Sequence, residues 1–260
     1  MNVPGKSILQ AVNISVYYGR TRGCEAVDFD VYPGEVLGIV GESGSGKSTL
    51  LKSLAAQLSL DDGTVLYRNA QDEVVDLYRM SEAQRRFLMR TDWAFIHQNA
   101  RDGLRMNVSA GANVGERLMA IGRRHYGEIR ASATDWLQRV EVDTARLDDL
   151  PWTFSGGMQQ RLQIARNLVT GPRLAFMDEP TGGLDVSVQA RLLDLIRSLV
   201  TELGLAVVLV THDLAVARLL AHRLMVMKQG RVVETGLTDQ VLDDPQHPYT
   251  QLLVSSILHT

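Results

Sequence analysis

The chain has 260 residues, a net charge of −3 and an apolar content of 45%, which suits a folded α/β protein with a sizeable core. This charge gives no bulk attraction to nucleic acid, so we expect no direct nucleic-acid partner. Cys24 is the only cysteine, which excludes an intramolecular disulfide and a cysteine metal cluster. No apolar stretch of signal-peptide length follows Met1–Lys6, and the longest apolar run, Leu205–Val210, is too short to span a bilayer. We therefore expect a cytoplasmic chain that reaches a membrane only through a partner.

The N-terminal part of the chain alternates short apolar segments with turns. The segments that predict strands lie at residues 8–16, 26–31, 36–40 and 64–68. A turn at Tyr32–Glu35 precedes the third strand, which runs directly into a glycine-rich loop. Two helices are predicted, at Ser48–Leu58 from the spacing of its leucines and at Ser81–Met89 with Ser81 as the N-cap.

Residues 99–150 differ in character, because they lack proline, contain many arginines and carry helical patterns such as Ala131–Val140. We interpret residues 99–154 as a helical subdomain inserted into a single domain. Residues 7–98 would hold an N-terminal β subdomain and the first part of the core, and residues 155–237 the rest of the core. Residues 238–260 would form a short C-terminal tail.

Strands and helices alternate again after the inserted segment. The predicted elements are a strand at 174–177, a helix at 186–203, a strand at 206–210, a helix at 214–221 and a hairpin of strands 224–227 and 231–234. Such alternation predicts a mostly parallel sheet with helices on both faces.

The glycine-rich loop Gly41–Ser48 lies between a predicted buried strand and a predicted helix. Its glycines let backbone amides approach phosphate oxygens, and the N-terminus of the helix faces the anion. Lys47 is expected to reach the β- and γ-phosphates, and the Ser48 hydroxyl to bind Mg²⁺. The predicted nucleotide-binding residues are Gly41, Glu42, Ser43, Gly44, Ser45, Gly46, Lys47, Ser48 and Thr49.

The strand predicted at residues 174–177 ends in two adjacent carboxylates, Asp178 and Glu179. In phosphate-loop enzymes an aspartate at this place holds Mg²⁺, and the next carboxylate can act as general base toward the attacking water. Two solvated loop acids are the alternative. The segment 180–185 that follows favours the catalytic interpretation.

The stretch Phe154–Arg161 places Ser155, Gly156 and Gly157 at the start of an amphipathic helix. This helix start is a second surface suited to phosphate. One fold cannot readily bring this surface and the loop at Gly41–Ser48 to the same nucleotide, so the sequence implies that two chains pair.

Together these motifs resemble the ATP-binding cassette (ABC) ATPases over nearly the whole chain. The family's Leu-Ser-Gly-Gly-Gln signature has Phe154 in place of leucine and Met158 in place of glutamine. The resemblance implies a phosphate-loop NTPase core and a head-to-tail dimer around two Mg·ATP, in which each signature faces the γ-phosphate held by the other chain. The residues assigned to this trans contact are Ser155, Gly156, Gly157, Met158, Gln159 and, in the D-loop, Asp185.

Three more positions match functional residues of the family. Gln98 falls at the Q-loop glutamine, His212 at the switch histidine, and Tyr18 at the aromatic residue that stacks on adenine, with Tyr17 as the alternative. The catalytic residues implied are Glu179, His212 and Gln98. The Mg²⁺ ligands implied are Ser48, Gln98 and Asp178.

The resemblance points to two branches of the family. The tail His247–Leu253 and the Ser-Gly-Gly-Met signature resemble the oligopeptide and nickel importer ATPases, yet the segment Gln98–Arg105 lacks their Leu-Asn-Pro turn. The segments 108–127 and 181–190 resemble instead the branch that serves the bacterial carbon–phosphorus lyase system of phosphonate breakdown. We therefore expect a soluble lyase core as partner, with a membrane permease as the alternative, and in that case a location at the inner membrane. The second ATPase protomer is expected to be an identical chain or a related one.

Overall fold

The structure, a computed structural model, describes residues 5–256 and divides the chain into two units. The first unit comprises the residues up to Arg85 and from Gly204 onward, and the second comprises Arg86–Leu203. The strands are β1 (Leu9–Tyr18), β2 (Thr21–Val31), β3 (Val36–Val40), β4 (Asp62–Arg68), β5 (Val74–Asp76), β6 (Trp93–Ile96), β7 (Leu174–Asp178), β8 (Ala206–Thr211), β9 (Arg223–Lys228) and β10 (Arg231–Leu237). The α-helices are α1 (Lys47–Leu54), α2 (Glu82–Thr91), α3 (Ala100–Gly103), α4 (Ala110–Ala120), α5 (Tyr126–Arg139), α6 (Gly156–Leu168), α7 (Val186–Leu203), α8 (Leu214–Leu220), α9 (Thr238–Asp243) and α10 (Pro248–Ser255).

An antiparallel sheet in the order β2-β1-β4-β5 forms one layer of the first unit. The predicted strands at 8–16, 26–31 and 64–68 are confirmed, and each observed strand is longer or shifted by a few residues. Strand β5 was not predicted, because three residues with exposed or half-buried side chains give no clear alternation. It pairs with the end of β4, where Leu66 faces Asp76.

The phosphate-loop strand β3 lies between β8 and β9 and is parallel to both. All five residues of β3 are buried, as expected of a parallel strand covered on both faces. Strand β10 returns antiparallel to β9 through the predicted hairpin. Its turn residues Gln229 and Gly230 have φ values of 48° and 80°, the positive pair that a two-residue type I′ turn requires.

Helix α1 ends four residues earlier than predicted, at Leu54 instead of Leu58. The amide of Gln57 donates to the carbonyl of Lys52, and the amide of Ala56 to that of Ser53. Ala56 itself has a φ of 52°. These are the features of a Schellman ending, which satisfies the last carbonyls and reverses the chain. The leucine spacing continued past this ending and so misplaced it.

The C-terminal tail holds two helices, α9 and α10, where the sequence predicted only a tail; residues 257–260 of that prediction lie outside the described residues. The predicted N-cap of α2 is confirmed, because the Ser81 hydroxyl accepts from the amide of Gln84 at 3.3 Å.

In the second unit the parallel pair β6 and β7 is accompanied by helices α3 to α7. Helix α7 has the predicted bounds, and α5 begins five residues before the predicted Ala131 because His125 caps it by accepting from the amide of Glu128. The helical content predicted between residues 99 and 154 is thus confirmed, whereas the finer subdomain borders stay predictions.

Candidate nucleotide-binding site

In the first unit the glycine-rich loop has a backbone that only glycine fits at two points. Gly41 has a φ of 149°, and a Cβ on it would lie 2.2 Å from the carbonyl oxygen of Met227. Gly46 has a φ of 101°, and a Cβ there would lie 2.0 Å from the carbonyl oxygen of Gly23. A side chain at either position would therefore displace backbone atoms of the neighbouring strands.

The start of α1 is suited to bind an anion. Its N-cap is Gly46, which has no side chain that could accept a hydrogen bond from the first amides of the helix. These amides can therefore donate to a bound anion. Lys47 is only 5% exposed, and its ammonium donates to the carbonyl oxygens of Gly41 and Glu42 at 2.8 Å each. A buried cation beside a row of helix amides fits the phosphates of a nucleotide.

The two aromatic candidates for adenine stacking differ in their surroundings. Tyr18, at the end of β1, is 53% exposed and its hydroxyl lies 3.4 Å from the Thr49 hydroxyl on α1. The hydroxyl of Tyr17 donates instead to the Glu25 carboxylate at 2.9 Å, and this hydrogen bond raises the pKa of Tyr17. The position next to α1 supports the choice of Tyr18.

His212 follows β8 at the same edge of the sheet as the phosphate loop. In the parallel pair of β3 and β8, Val40 is the register partner of Thr211, so Gly41 and His212 leave corresponding strand ends. The side chain of His212 is exposed. Ligands of open α/β sheets bind outside such carboxyl ends.

In the second unit, two of the predicted catalytic residues, Gln98 and Glu179, lie in contact. Ile96 is the register partner of Met177 in the parallel pair β6 and β7, and Gln98 and Glu179 each lie two residues beyond this register pair. The amide of Gln98 donates to the Glu179 carboxylate at 3.2 Å. Asp178, the last residue of β7, is 9% exposed.

Glu179 has a strained backbone. Its φ is 44°, in the left-handed region that is sparsely populated by residues with a Cβ. Residues held in such regions cost about 1–3 kcal/mol and cluster at functional sites. The turn that follows it is closed by the amide of Gly182, which donates to the carbonyl of Glu179 at 2.9 Å.

The signature segment forms a tightly built helix start. Ser155 is the N-cap of α6, and its hydroxyl accepts from the amide of Met158 at 3.3 Å. Gly157 lies against α7, where an added Cβ would be 2.6 Å from Val188. The Arg146 guanidinium stacks over the Phe154 ring at 4.5 Å and donates to the Met158 sulfur at 3.6 Å. Arg146 thus contacts both residues at which the signature departs from the family pattern.

The predicted trans residues do not all face outward. Ser155 and Gly156 are exposed, whereas Gln159 is 5% exposed and its amide donates to the carbonyls of Pro151 and Phe154. This inward placement gives no support to a nucleotide contact by Gln159, which stays a prediction. Nearby, Asp185 is exposed and Val186 is 83% exposed.

Two glutamines that the sequence analysis did not select connect α6 to the Q-loop. The amides of Gln160 and Gln163 donate to the carbonyl of His97 at 3.2 and 3.1 Å. The side-chain oxygen of Gln163 also accepts from the amide of His97 at 2.7 Å. The sequence signal that could have identified them is their spacing of three residues in the signature helix, which places both side chains on one face.

Between residues 5 and 256, no group of three or more His, Cys, Asp and Glu side chains is arranged to hold a metal ion. Over the same residues, no helix is both long and apolar enough to cross a membrane.

Comparisons with known proteins agree with these features. Residues 24–182 match the ABC transporter family. The putative phosphonates utilization ATP-binding protein PhnK of Escherichia coli (strain K12) is 67% identical over 99% of this chain and 99% of its own length. The dipeptide transport ATP-binding protein DppD of the same organism is 37% identical over 96% of this chain and 78% of its own length.

Among solved structures, the dimeric ATP-binding cassette MJ0796, in a post-hydrolysis state bound to ADP and Pi, gives a TM-score of 0.78 at 28% identity. The match covers 88% of this chain and 98% of that chain. The predicted fold and family are therefore confirmed: the chain belongs to the ABC transporter family of ATP-binding cassettes and is an ATP hydrolase.

Proposed function

We propose that this ATPase drives a conformational cycle in a carbon–phosphorus lyase core that breaks down phosphonates. The observation that carries the proposal is the 67% identity, over 99% of both chains, to a protein described as a putative phosphonates utilization ATP-binding protein. Identity at this level over the full length favours a shared partner, because most residues of any docking surface are then the same in both proteins.

For binding of Mg·ATP, the first unit supplies the amides of the loop Gly41–Thr49, the Lys47 ammonium and the Tyr18 ring. The loop amides and the ammonium bind phosphate oxygens, and the ring stacks on adenine. We assign Ser48, Gln98 and Asp178 to Mg²⁺, which proteins usually bind through a few side chains together with substrate phosphates. An Mg²⁺ ion held by these residues would neutralise charge on the transferred phosphoryl group.

For hydrolysis, the Glu179 carboxylate accepts the proton of the attacking water. The Gln98 amide, 3.2 Å from that carboxylate, holds it in place and helps to orient the water. The His212 imidazole donates to the γ-phosphate. The match with family motifs supports each of these roles, as does the position of all three side chains just beyond the ends of strands.

We further propose that two protomers pair head to tail. The exposed Ser155 and Gly156, with the amide of Gly157, would bind the γ-phosphate held by the other protomer, and Asp185 would lie in the contact. The exposure of Ser155, Gly156 and Asp185 supports this, because exposed groups can contact a second chain. The second protomer is an identical chain or a related ATPase.

The importer function is the second candidate. The 37% identity to a dipeptide transport ATP-binding protein favours it, as does the His-Pro-Tyr-Thr tail. In that case the partner would be a membrane permease and the chain would lie at the cytoplasmic face of the inner membrane. With a lyase core as partner it would be cytoplasmic.

The experiment is affinity purification of the tagged chain from native cells grown on a phosphonate, followed by mass spectrometry. We expect soluble carbon–phosphorus lyase subunits in stoichiometric amounts. A Lys47→Ala variant, purified in parallel, separates partners that need nucleotide from those that do not. Recovery of a polytopic permease without lyase subunits would overturn the proposal in favour of the importer.

A further inference from the structure

The phosphate loop is hydrogen-bonded to the C-terminal tail. The amide of Glu42, the second residue of the loop, donates to the Tyr249 hydroxyl on α10 at 3.1 Å. Tyr249 is only 4% exposed, so this hydroxyl is shielded from competing water. We propose that Tyr249 is a positioning residue that holds the phosphate loop in its nucleotide-binding conformation.

The His-Pro-Tyr segment explains how Tyr249 reaches the loop. His247 is the N-cap of α10, and its Nδ1 accepts from the amide of Tyr249 at 3.1 Å. Pro248 occupies the first helical position, where a missing amide costs nothing and a fixed φ favours the helix. The motif thus starts a short helix at a defined point and places Tyr249 in its first turn.

The start of this helix is anchored to β10. The amides of Gln246 and His247 both donate to the Glu234 carboxylate, at 2.8 and 3.0 Å. Glu234 lies in the strand that follows the hairpin turn, so the tail is fixed to the same layer as the phosphate-loop strand.

The Tyr249 ring and the phosphate loop both lie against the end of β9. The Lys228 ammonium lies 4.6 Å from the centre of the Tyr249 ring. The neighbouring carbonyl of Met227 is the one that leaves no room for a side chain on Gly41. In addition, the amide of Gly230 donates to the carbonyl of Ser45 at 2.9 Å. The end of β9 and the hairpin turn therefore hold the loop at its start and middle, and Tyr249 holds its second residue.

A loop whose amides must converge on phosphates loses affinity when it samples other conformations. The Tyr249 hydroxyl contacts the loop backbone and not the reacting atoms, so it stabilises the substrate complex and the transition state alike. Loss of such uniform binding raises KM and leaves kcat unchanged. The net contribution of one hydrogen bond corresponds to about 2- to 10-fold in affinity.

The test is basal ATPase activity of the full chain without any partner, so its outcome does not depend on the proposed lyase core. For Tyr249→Phe we expect KM for Mg·ATP to rise about 2- to 10-fold, with kcat unchanged and the thermal midpoint lowered by no more than about 2–6 °C. Tyr32→Phe, in the turn before β3, is the matched control and should keep the wild-type KM. Unchanged KM in Tyr249→Phe, or a fall in kcat with a lower thermal midpoint, overturns the proposal.

A second pair of variants tests the same connection from the tail. His247→Ala removes the N-cap of α10 and should raise KM in the same direction, whereas His247→Asn supplies a good N-cap and should rescue it. Equal KM values for His247→Ala, His247→Asn and the wild type would overturn the role of the tail, even if Tyr249→Phe proved too unstable to assay.

Discussion

Gln163, on the signature helix, hydrogen-bonds both backbone groups of His97, the residue before the Q-loop glutamine. Its side-chain oxygen accepts from the His97 amide at 2.7 Å and its side-chain nitrogen donates to the His97 carbonyl at 3.1 Å. Gln163 is fully buried. These two hydrogen bonds connect α6, which is proposed to face the nucleotide of the other protomer, to the loop that carries Gln98.

For Gln163→Leu we expect the free energy of unfolding to fall by about 1–3 kcal/mol, because the His97 amide loses the Gln163 oxygen and the His97 carbonyl loses one of the two glutamine amides that donate to it. We also expect kcat to fall by roughly 10- to 10²-fold, since a catalytic group misplaced by about 1 Å can cost about 10²-fold. Urea unfolding and steady-state ATPase assays measure the two effects. Gln138→Leu, at an exposed position on α5, is the control. A loss of stability with wild-type kcat would limit Gln163 to a structural role.

Glu179→Gln should keep ATP binding and lower kcat by about 10²–10⁴-fold, the usual contribution of a general base. The amide preserves the shape of the side chain and removes the basic oxygen. Phosphate release and ATP titration by calorimetry measure the two properties. Glu128→Gln, on the exposed start of α5, should behave like the wild type. Phosphate release at the wild-type rate would remove Glu179 from this role.

The Glu179→Gln protein should also dimerise only when Mg·ATP is present, because ATP that binds the dimer better than the monomer shifts the equilibrium by linkage. Sedimentation velocity, with and without nucleotide, measures this. Adding Ser155→Phe should restore the monomer, since a bulky side chain would block the exposed signature. A Glu179→Gln monomer at saturating Mg·ATP would contradict pairing of identical chains and leave a related ATPase as the second protomer.

Gly46→Ala should abolish measurable ATP binding, because its Cβ would lie 2.0 Å from the Gly23 carbonyl in a backbone with φ of 101°. Gly44→Ala should weaken binding only modestly. Gly44 has a φ of 80° but no atom within 4 Å of an added Cβ, so only the backbone cost of about 1–2 kcal/mol applies. Calorimetric titration compares them, with circular dichroism as a check on folding. Equal losses would mean that loop strain, and not the contact with Gly23, governs the site.

Arg101→Glu should weaken binding to a carbon–phosphorus lyase core and leave basal ATPase activity intact. Arg101 is exposed on the segment after Gln98, where charge complementarity with a partner is expected to act. Arg105, the other arginine of this segment, pairs with Glu116 at 3.2 Å. A glutamate at position 105 would repel Glu116, so Arg105→Gln is used there instead. A pull-down against the core measures binding, and Arg79→Gln, at a side chain that is 89% exposed and pairs with Asp76 at 3.1 Å, is the matched control for Arg105→Gln. Unchanged binding in both variants would exclude this surface.

The sequence predicts best those elements whose signal is continuous. Val36–Val40 and Val186–Leu203 were placed correctly because an unbroken apolar run and an uninterrupted helical period leave little choice. The end of α1 was misplaced because the left-handed Ala56 lies inside a continuing leucine pattern. Helix α10 was missed because it has only eight residues and begins at a histidine N-cap.

In the candidate site too, features that depend on local sequence could be predicted, and features that depend on tertiary packing could not. The assignment of Gln98 and Glu179 to one catalytic set could be predicted from the motifs, whereas their hydrogen bond depends on the parallel pairing of β6 and β7. The inward turn of Gln159 and the contacts of Gln163 with His97 could not, since neighbouring glutamines on one helix differ only in the direction they face. That direction depends on how α6 packs.

The left-handed backbone at Glu179 has an evolutionary consequence. Any residue with a Cβ meets a cost of about 1–2 kcal/mol in that region, whereas glycine meets none. Selection for thermostability alone would therefore favour glycine at position 179 and would remove the carboxylate in the same step. Glu179 therefore lowers the stability of the chain while it serves hydrolysis. In laboratory evolution that selects only for a folded protein, we expect Glu179 to be replaced early and ATP hydrolysis to be lost with it.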